Sequence, residues 1–181
     1  MLWGTLLVLD LQDKQSWCEH GRELEDLFID KFGDKLSLEI NKDKSDNIYA
    51  VDMYNTEDKL LSDLKSQNTP FFLAGKKYNV DPQFAVVFNK KDKLNYIDKT
   101  LDGSDIYIYF WVKWKKQERF NVKVLGIDAI FRAKFSTLLE ILDDNKLHEY
   151  RQRKDDNKGN AKASYVLDVR KLDLVLNNLA S

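Results

Sequence analysis

"IYAVDMYNTEDKLLSDLKSQ", residues 48–67, holds two β-forming runs separated by a polar turn, and the phase of its charged residues decides how the chain is read. Side chains alternate across a strand with period two, so Asp63, Lys65 and Gln67 share one face of "LLSDLKSQ", while Ser62, Leu64 and Ser66 take the other. In "IYAVDMY" the same rule groups Ile48, Ala50, Asp52 and Tyr54 against Tyr49, Val51 and Met53. The turn "NTEDK" suits a hairpin, in which Asp52 and Asp63 would point to the same side of a sheet. Opposite charges on one strand face make either a surface ion pair or part of a metal site, and both readings stand at this point. Two converging carboxylates repel unless they share a proton or hold a cation. A hard divalent ion with oxygen ligands, Mg²⁺ first, is the usual solution. Lys65 would face the same ion, where an ammonium holds an attacking water or stabilises charge on a phosphate.

Around this hairpin the periodicities give an ordered set of elements. From "DKQSW" to "DKFGD", Trp17, Leu24, Leu27, Phe28 and Phe32 follow helical spacing, with Gly33 as a stop. "KLSLEI" alternates as a strand and "NKDKSDN" is a turn. After Pro70, "FFLAGKKYNVDP" reads as a loop or short helix and "QFAVVFN" as a buried strand. "KKDKLNYIDKTLDGSD" is a polar excursion ending in the turn signal "DGSD". "IYIYFWVKW" is the densest β-branched and aromatic run in the chain and therefore a strand. "NVKVLGIDAI" adds one more strand, "RAKFSTLLEILDD" an amphipathic helix, and "RKLDLVLNNLA" a C-terminal helix. The order implies an α/β (α+β) domain built round one central mixed sheet flanked by helices.

At 181 residues the chain is long enough for one domain with a substantial core, read here as residues 1–181. The formal net charge of −1 gives no global pull toward nucleic acid or membrane, so attraction must come from local patches. A lone cysteine, Cys18, excludes an internal disulfide framework and a multi-cysteine zinc cluster, which fits a reducing cytoplasm. "MLWGTLLVL" is short and lacks a basic leader; it reads as a first strand or helix, not a signal peptide or membrane span. His20 and His148 lack ligand spacing to a second His or Cys, and His148 reads as a solvated surface histidine. Neither GxxxxGK[ST] nor GxGxxG occurs.

Asp52, an eleven-residue step, and "DLK" at 63–65 resemble the motif of the PD-(D/E)XK nuclease superfamily, which includes restriction, homing and repair endonucleases. The preceding helix adds to the likeness: "GRELE" puts Glu25 four residues after Gly21, and members often carry a glutamate there. Gln67 resembles the polar residue that some branches place after the lysine. Val51 stands where the motif's proline would be, and the likeness covers residues 16–72. The resemblance implies a restriction-endonuclease-like core and a Mg²⁺-dependent DNA endonuclease, with Mn²⁺ as a substitute ion. It implies Asp52 and Asp63 as ligands with the carbonyl of Leu64, and Lys65 positioning the attacking water. Glu25 would orient that water or hold a second ion, and Gln67 would donate a hydrogen bond at or beside the site. A compact nuclease making double-strand breaks implies a homodimer. The alternative is a non-catalytic nucleic-acid-binding or interaction domain on the same fold.

Basic stretches mark where DNA would lie. "KWKKQER", with Trp111 two residues ahead of it, sets Trp111 and Trp114 among Lys113, Lys115, Lys116 and Arg119, combining phosphate-binding cations with aromatics that either stack on bases or belong to a core strand. "RQRKDDNKGNAK" offers Arg151, Arg153, Lys154 and Asn157 in a loop suited to groove or backbone contact.

Overall fold

The structure, a computed structural model, describes residues 14–47, 50–150 and 163–178. The stretch "MLWGTLLVL" and the basic loop carrying Arg151, Arg153, Lys154 and Asn157 lie outside the described residues. The architecture is mixed α/β. Helix α1 (Lys14–Leu36) leads into strand β1 (Leu38–Ile40), a 3-10 turn (Lys42–Ser45), and the hairpin β2 (Met53–Asn55) and β3 (Leu60–Gln67). A crossover follows, made of α2 (Ala74–Tyr78), β4 (Ala85–Asn89) and α3 (Lys90–Lys99). It returns the chain to β5 (Ile106–Trp114), which pairs parallel to β3. The hairpin β6 (Gln117–Arg119) and β7 (Val122–Val124) precedes β8 (Ile127–Lys134), α4 (Phe135–Ile141), β9 (Leu147–His148), β10 (Ser164–Asp168) and β11 (Asp173–Asn177).

A six-stranded sheet runs β1-β2-β3-β5-β8-β11 and is mixed: every neighbouring pair is antiparallel except β3 and β5. Parallel neighbours cannot be joined by a tight turn, and the crossover this requires is what places α3 beside β3. The faces of β5 separate the core into two. Tyr107, Tyr109 and Trp111 pack with Phe28 and Phe32 of α1, with ring centroids 5.4–6.2 Å apart among Phe28, Phe32, Tyr109 and Trp111. Ile108, Phe110, Val112 and Trp114 pack with β4, α3 and α4 through Phe88, Tyr96, Phe135 and Leu138. A three-stranded sheet, β4-β10-β9, covers this second face.

Several sequence expectations need correction. The central mixed sheet flanked by helices is present as expected, but a second, three-stranded sheet and a separate two-stranded ribbon stand beside it. Helix α1 runs past Gly33 to Leu36 and ends at Ser37, whose φ of 53° is left-handed. Gly33 is needed instead for close approach, since a Cβ there would meet the Leu38 carbonyl oxygen at 2.9 Å. The polar excursion 90–105 is largely helix α3. "NVKVLGIDAI" is two strands interrupted at Leu125 and Gly126, and α4 begins only at Phe135. Within "RKLDLVLNNLA", residues 173–177 form β11, not a helix, because they complete the open edge of β8, with a bulge between Leu174 and Leu176. There Val175 and Leu176 reach the α1 side of the core.

One charged group tunes stability at the α1 face. Asp128 accepts from Trp111 Nε1 at 3.0 Å and pairs with Lys113 at 3.1 Å. Burial pushes its carboxyl up, but the bonds from Trp111, Lys113 and Asn178 outweigh burial and hold it below the usual range. A depressed folded pKa contributes stability above the unfolded value of about 3.9, and that contribution is lost as pH falls through the folded pKa. Asp128→Asn is therefore expected to cost about 1–2 kcal/mol at pH 7, with the gap to wild type closing below about pH 4. Urea melts across pH check this.

Candidate active site

The hairpin register sets the acids. Met53 of β2 pairs with Ser62 of β3, so Asp52, one residue before β2, comes opposite Asp63. Asp52 thus precedes its strand instead of lying near the end of one, as the sequence suggested. Asn41 fixes this approach: its N–H donates to the Asp52 carbonyl at 3.0 Å and its Nδ2 to the Val51 carbonyl at 2.9 Å. On β3 the alternation holds. Leu64 packs toward α1, leaving only its main chain for the cleft, whereas Asp63 and Lys65 face the crossover.

Asp52, Asp63 and Lys65 line one cleft of ≈ 530 Å³, together with Asp92, Asn95, Tyr96, Asp98 and Lys99 of α3. Asp63 is 6% exposed, which removes the surface ion pair from consideration. Two lysines each bridge two carboxylates. Lys65 Nζ lies 2.8 Å from Asp63 Oδ2 and 2.8 Å from Asp92 Oδ2, and 5.4 Å from the centroid of the Tyr96 ring. Lys44 Nζ lies 2.7 Å from Asp52 Oδ1 and pairs also with Glu25. Glu25 therefore sits one step behind the cleft, holding the lysine that holds Asp52.

Gln67 serves another purpose than the one expected. Its Nε2 donates to the carbonyls of Thr69 and Ala85, both at 3.1 Å, and its Oε1 accepts from Val87 N–H at 3.0 Å. The amide joins β3 to β4 and has its hydrogen bonds spent there, so Gln67 is a structural link and not a site donor.

Electrostatics follow from burial. Burial pushes the Asp63 carboxyl up to about 6; Asp52 adds to the rise, while Lys65 and Tyr96 restrain it. Burial pulls Lys65 down, but Asp63, Tyr96 and Asp92 override it and hold the ammonium well above its ordinary value. Lys44 is raised in the same manner: burial lowers it and the bonds to Asp52 and Glu25 win. The cleft is lined by Asp52, Asp63, Asp92 and Asp98 against Lys65 and Lys99, with Lys44 on Asp52 behind them, so acids outnumber lysines by one.

Would an ion fit? Asp63 Oδ2 is a buried oxygen held 2.8 Å from the Lys65 ammonium. Two carboxylates lining one cleft, Asp52 and Asp63, match the oxygen-ligand chemistry of Mg²⁺, and each is balanced by a lysine. Among the described residues no three His, Cys, Asp or Glu side chains converge to hold a metal alone. An ion here would rest on Asp52, Asp63, a main-chain carbonyl and solvent, and Mg²⁺ ordinarily keeps several waters.

Sequence reasoning missed Lys44, Asp92 and Tyr96. The α3 residues had a legible signal, since Asp92, Asn95, Tyr96 and Lys99 fall at helical i, i+3, i+4, i+7 spacing. Lys44 had none. Of the basic stretch, Trp111 and Trp114 are buried at 4% and 5%, so neither stacks on a base. Lys113 is engaged by Asp128, and Lys115 and Lys116 are exposed between β5 and β6. His148 is half-buried, not solvated. It shares a 2.6 Å hydrogen bond with the Tyr78 hydroxyl and is ringed by Phe71 and Tyr150. No helix among the described residues is long and apolar enough to cross a membrane.

Compared with protein-family models, curated proteins and solved structures, the chain matches none.

Proposed function

We propose that this protein is a Mg²⁺-dependent DNA endonuclease of the PD-(D/E)XK type, acting as a restriction or homing enzyme on a restriction-endonuclease-like core. The observation that carries the proposal is the cleft itself: Asp52 opposite Asp63, with Lys65 two residues on from Asp63 and 2.8 Å from its carboxylate. The order helix, antiparallel hairpin, crossover, parallel strand supports it further, because it gives the acids a rigid sheet to stand on.

Asp52 and Asp63 would hold the ion, joined by the Leu64 carbonyl; Mn²⁺ would substitute. Bound Mg²⁺ supplies Lewis-acid polarisation of a phosphoryl oxygen and makes water more acidic. Lys65 would orient the attacking water and stabilise the negative charge growing on the phosphate. Asp92 keeps the ammonium in place from the other side. Glu25 acts through Lys44 on the position of Asp52. A homodimer would bring two such clefts to the two strands.

A supercoiled plasmid incubated with Mg²⁺, Ca²⁺ or EDTA tests the reading. Mg²⁺ alone should yield nicked and linear forms. Melting temperature should rise by about 2–5 °C at Mg²⁺ tenfold above its Kd. No cleavage and no divalent-ion shift would overturn the proposal. The tie of Lys44 to Asp52 favours a second reading, a non-catalytic DNA-binding domain. That domain would bind duplex without cutting it and would melt at the same temperature with or without Mg²⁺.

A further inference from the structure

The ribbon β6–β7 belongs to neither sheet, and Gln117, Glu118 and Arg119 are exposed along its whole first strand. Arg119 pairs with Val122, leaving Phe120 and Asn121 as a two-residue loop with φ of 54° and 59°. Two left-handed central residues define a type I′ turn, whose usual occupants are Asn-Gly because they tolerate that backbone. Phe120 is bulky, sits where bulky residues are outliers, and is 59% exposed. The Arg119 guanidinium lies over its ring, 4.8 Å from the centroid. That contact is worth about 0.5–1 kcal/mol at an exposed site, against a cost of about 1–3 kcal/mol for a residue held in a sparsely populated backbone region.

Isolated two-stranded ribbons are marginally stable in water, but this one is fixed at its root. Val124 is buried, and Gln83 clamps Leu125, accepting from its N–H at 2.5 Å and donating to its carbonyl at 3.3 Å. A fixed root and an exposed tip make a presenting device. The tip carries, in sequence, the three side chains that read base edges in the major groove: Arg pairs with guanine O6 and N7, Phe contacts the thymine methyl, and Asn pairs with adenine N6 and N7. A two-stranded β-ribbon fits that groove. Lys116 and Lys123 are exposed on and beside it, and such cations supply the charge complementarity a phosphate backbone requires. The ribbon leaves β5 after Trp114, four residues beyond Phe110, the partner of Lys65. That is roughly 13 Å along the strand.

We propose that the β6–β7 hairpin enters the major groove of duplex DNA and that Arg119, Phe120 and Asn121 read base identity there. The inference rests on the proposed function only in taking DNA as the partner. Selection of bound duplexes from a randomised pool, with Ca²⁺ in place of Mg²⁺, tests it apart from cleavage. Wild type should enrich a preferred sequence. Arg119→Ala and Phe120→Ala should each lose preference at one or two base pairs and bind the preferred duplex about 5- to 100-fold more weakly. Replacing thymine by uracil in that duplex should reproduce the Phe120→Ala loss. Asn121→Gly suits the left-handed backbone, so its loss of preference cannot be charged to unfolding. Unchanged preference and affinity in all three variants, or a wild type without preference, overturns the inference. Sequence-selective binding without cleavage supports the hairpin and counts against the nuclease reading alone. Cleavage with the variants' preference intact does the reverse.

Discussion

Asp63→Asn is expected to lower single-turnover plasmid cleavage in Mg²⁺ by about 10³-fold or more, the scale seen when one preorganised electrostatic partner of a reacting group is lost. The amide keeps the shape of the carboxyl but removes the buried charge facing Asp52. The fold should survive, because Asp63 is an acid whose burial already works against its ionised form and Lys65 retains Asp92 as a partner. The melting temperature without divalent ions should stay within a few degrees of wild type or rise, and the Mg²⁺-induced shift should vanish. Wild-type cleavage by this variant would end the assignment of the cleft.

Lys65→Ala should separate rate from binding. Turnover should fall by about 10²- to 10³-fold while duplex affinity changes by less than about threefold, since the role proposed for the ammonium is on charge that exists only in the transition state. The same substitution strips Asp63 and Asp92 of their shared cation, and two carboxylates left facing one cleft attract a divalent ion more strongly. The Mg²⁺-dependent rise in melting temperature should therefore be larger in Lys65→Ala than in wild type, even as cleavage is lost. Equal losses of affinity and rate would make Lys65 a phosphate anchor instead.

These two results depend on parts of the site that differ in how readable they were. Period-two alternation put Asp63, Lys65 and Gln67 on one face of β3, and that phase is observed. The residues alone also gave α1, the strands "LLSDLKSQ" and "IYIYFWVKW", and the turn that lets Asp52 meet Asp63, because turn chemistry and side-chain alternation are local properties of the chain. Which partners those faces would meet was not local. Gln67 shared the phase of the acids, yet β4 came close enough to take its amide. Residues 170–180 had helical spacing, yet the unpaired edge of β8 drew residues 173–177 into the sheet, tertiary pairing overriding a weak propensity. The burial that raises Asp63 likewise comes from elements distant in sequence. Asp92 and Tyr96 reach the cleft only because β3 and β5 are parallel, which obliges the chain to cross over and lay α3 against Lys65. Sequence by itself determined that Asp63 and Lys65 share one strand face and that a hairpin turn precedes them. The tertiary structure alone decided which of those side chains share a cleft, which are used up in holding it together, and which cations stand guard over them, since burial and ion pairing are set by chain segments that meet only on folding.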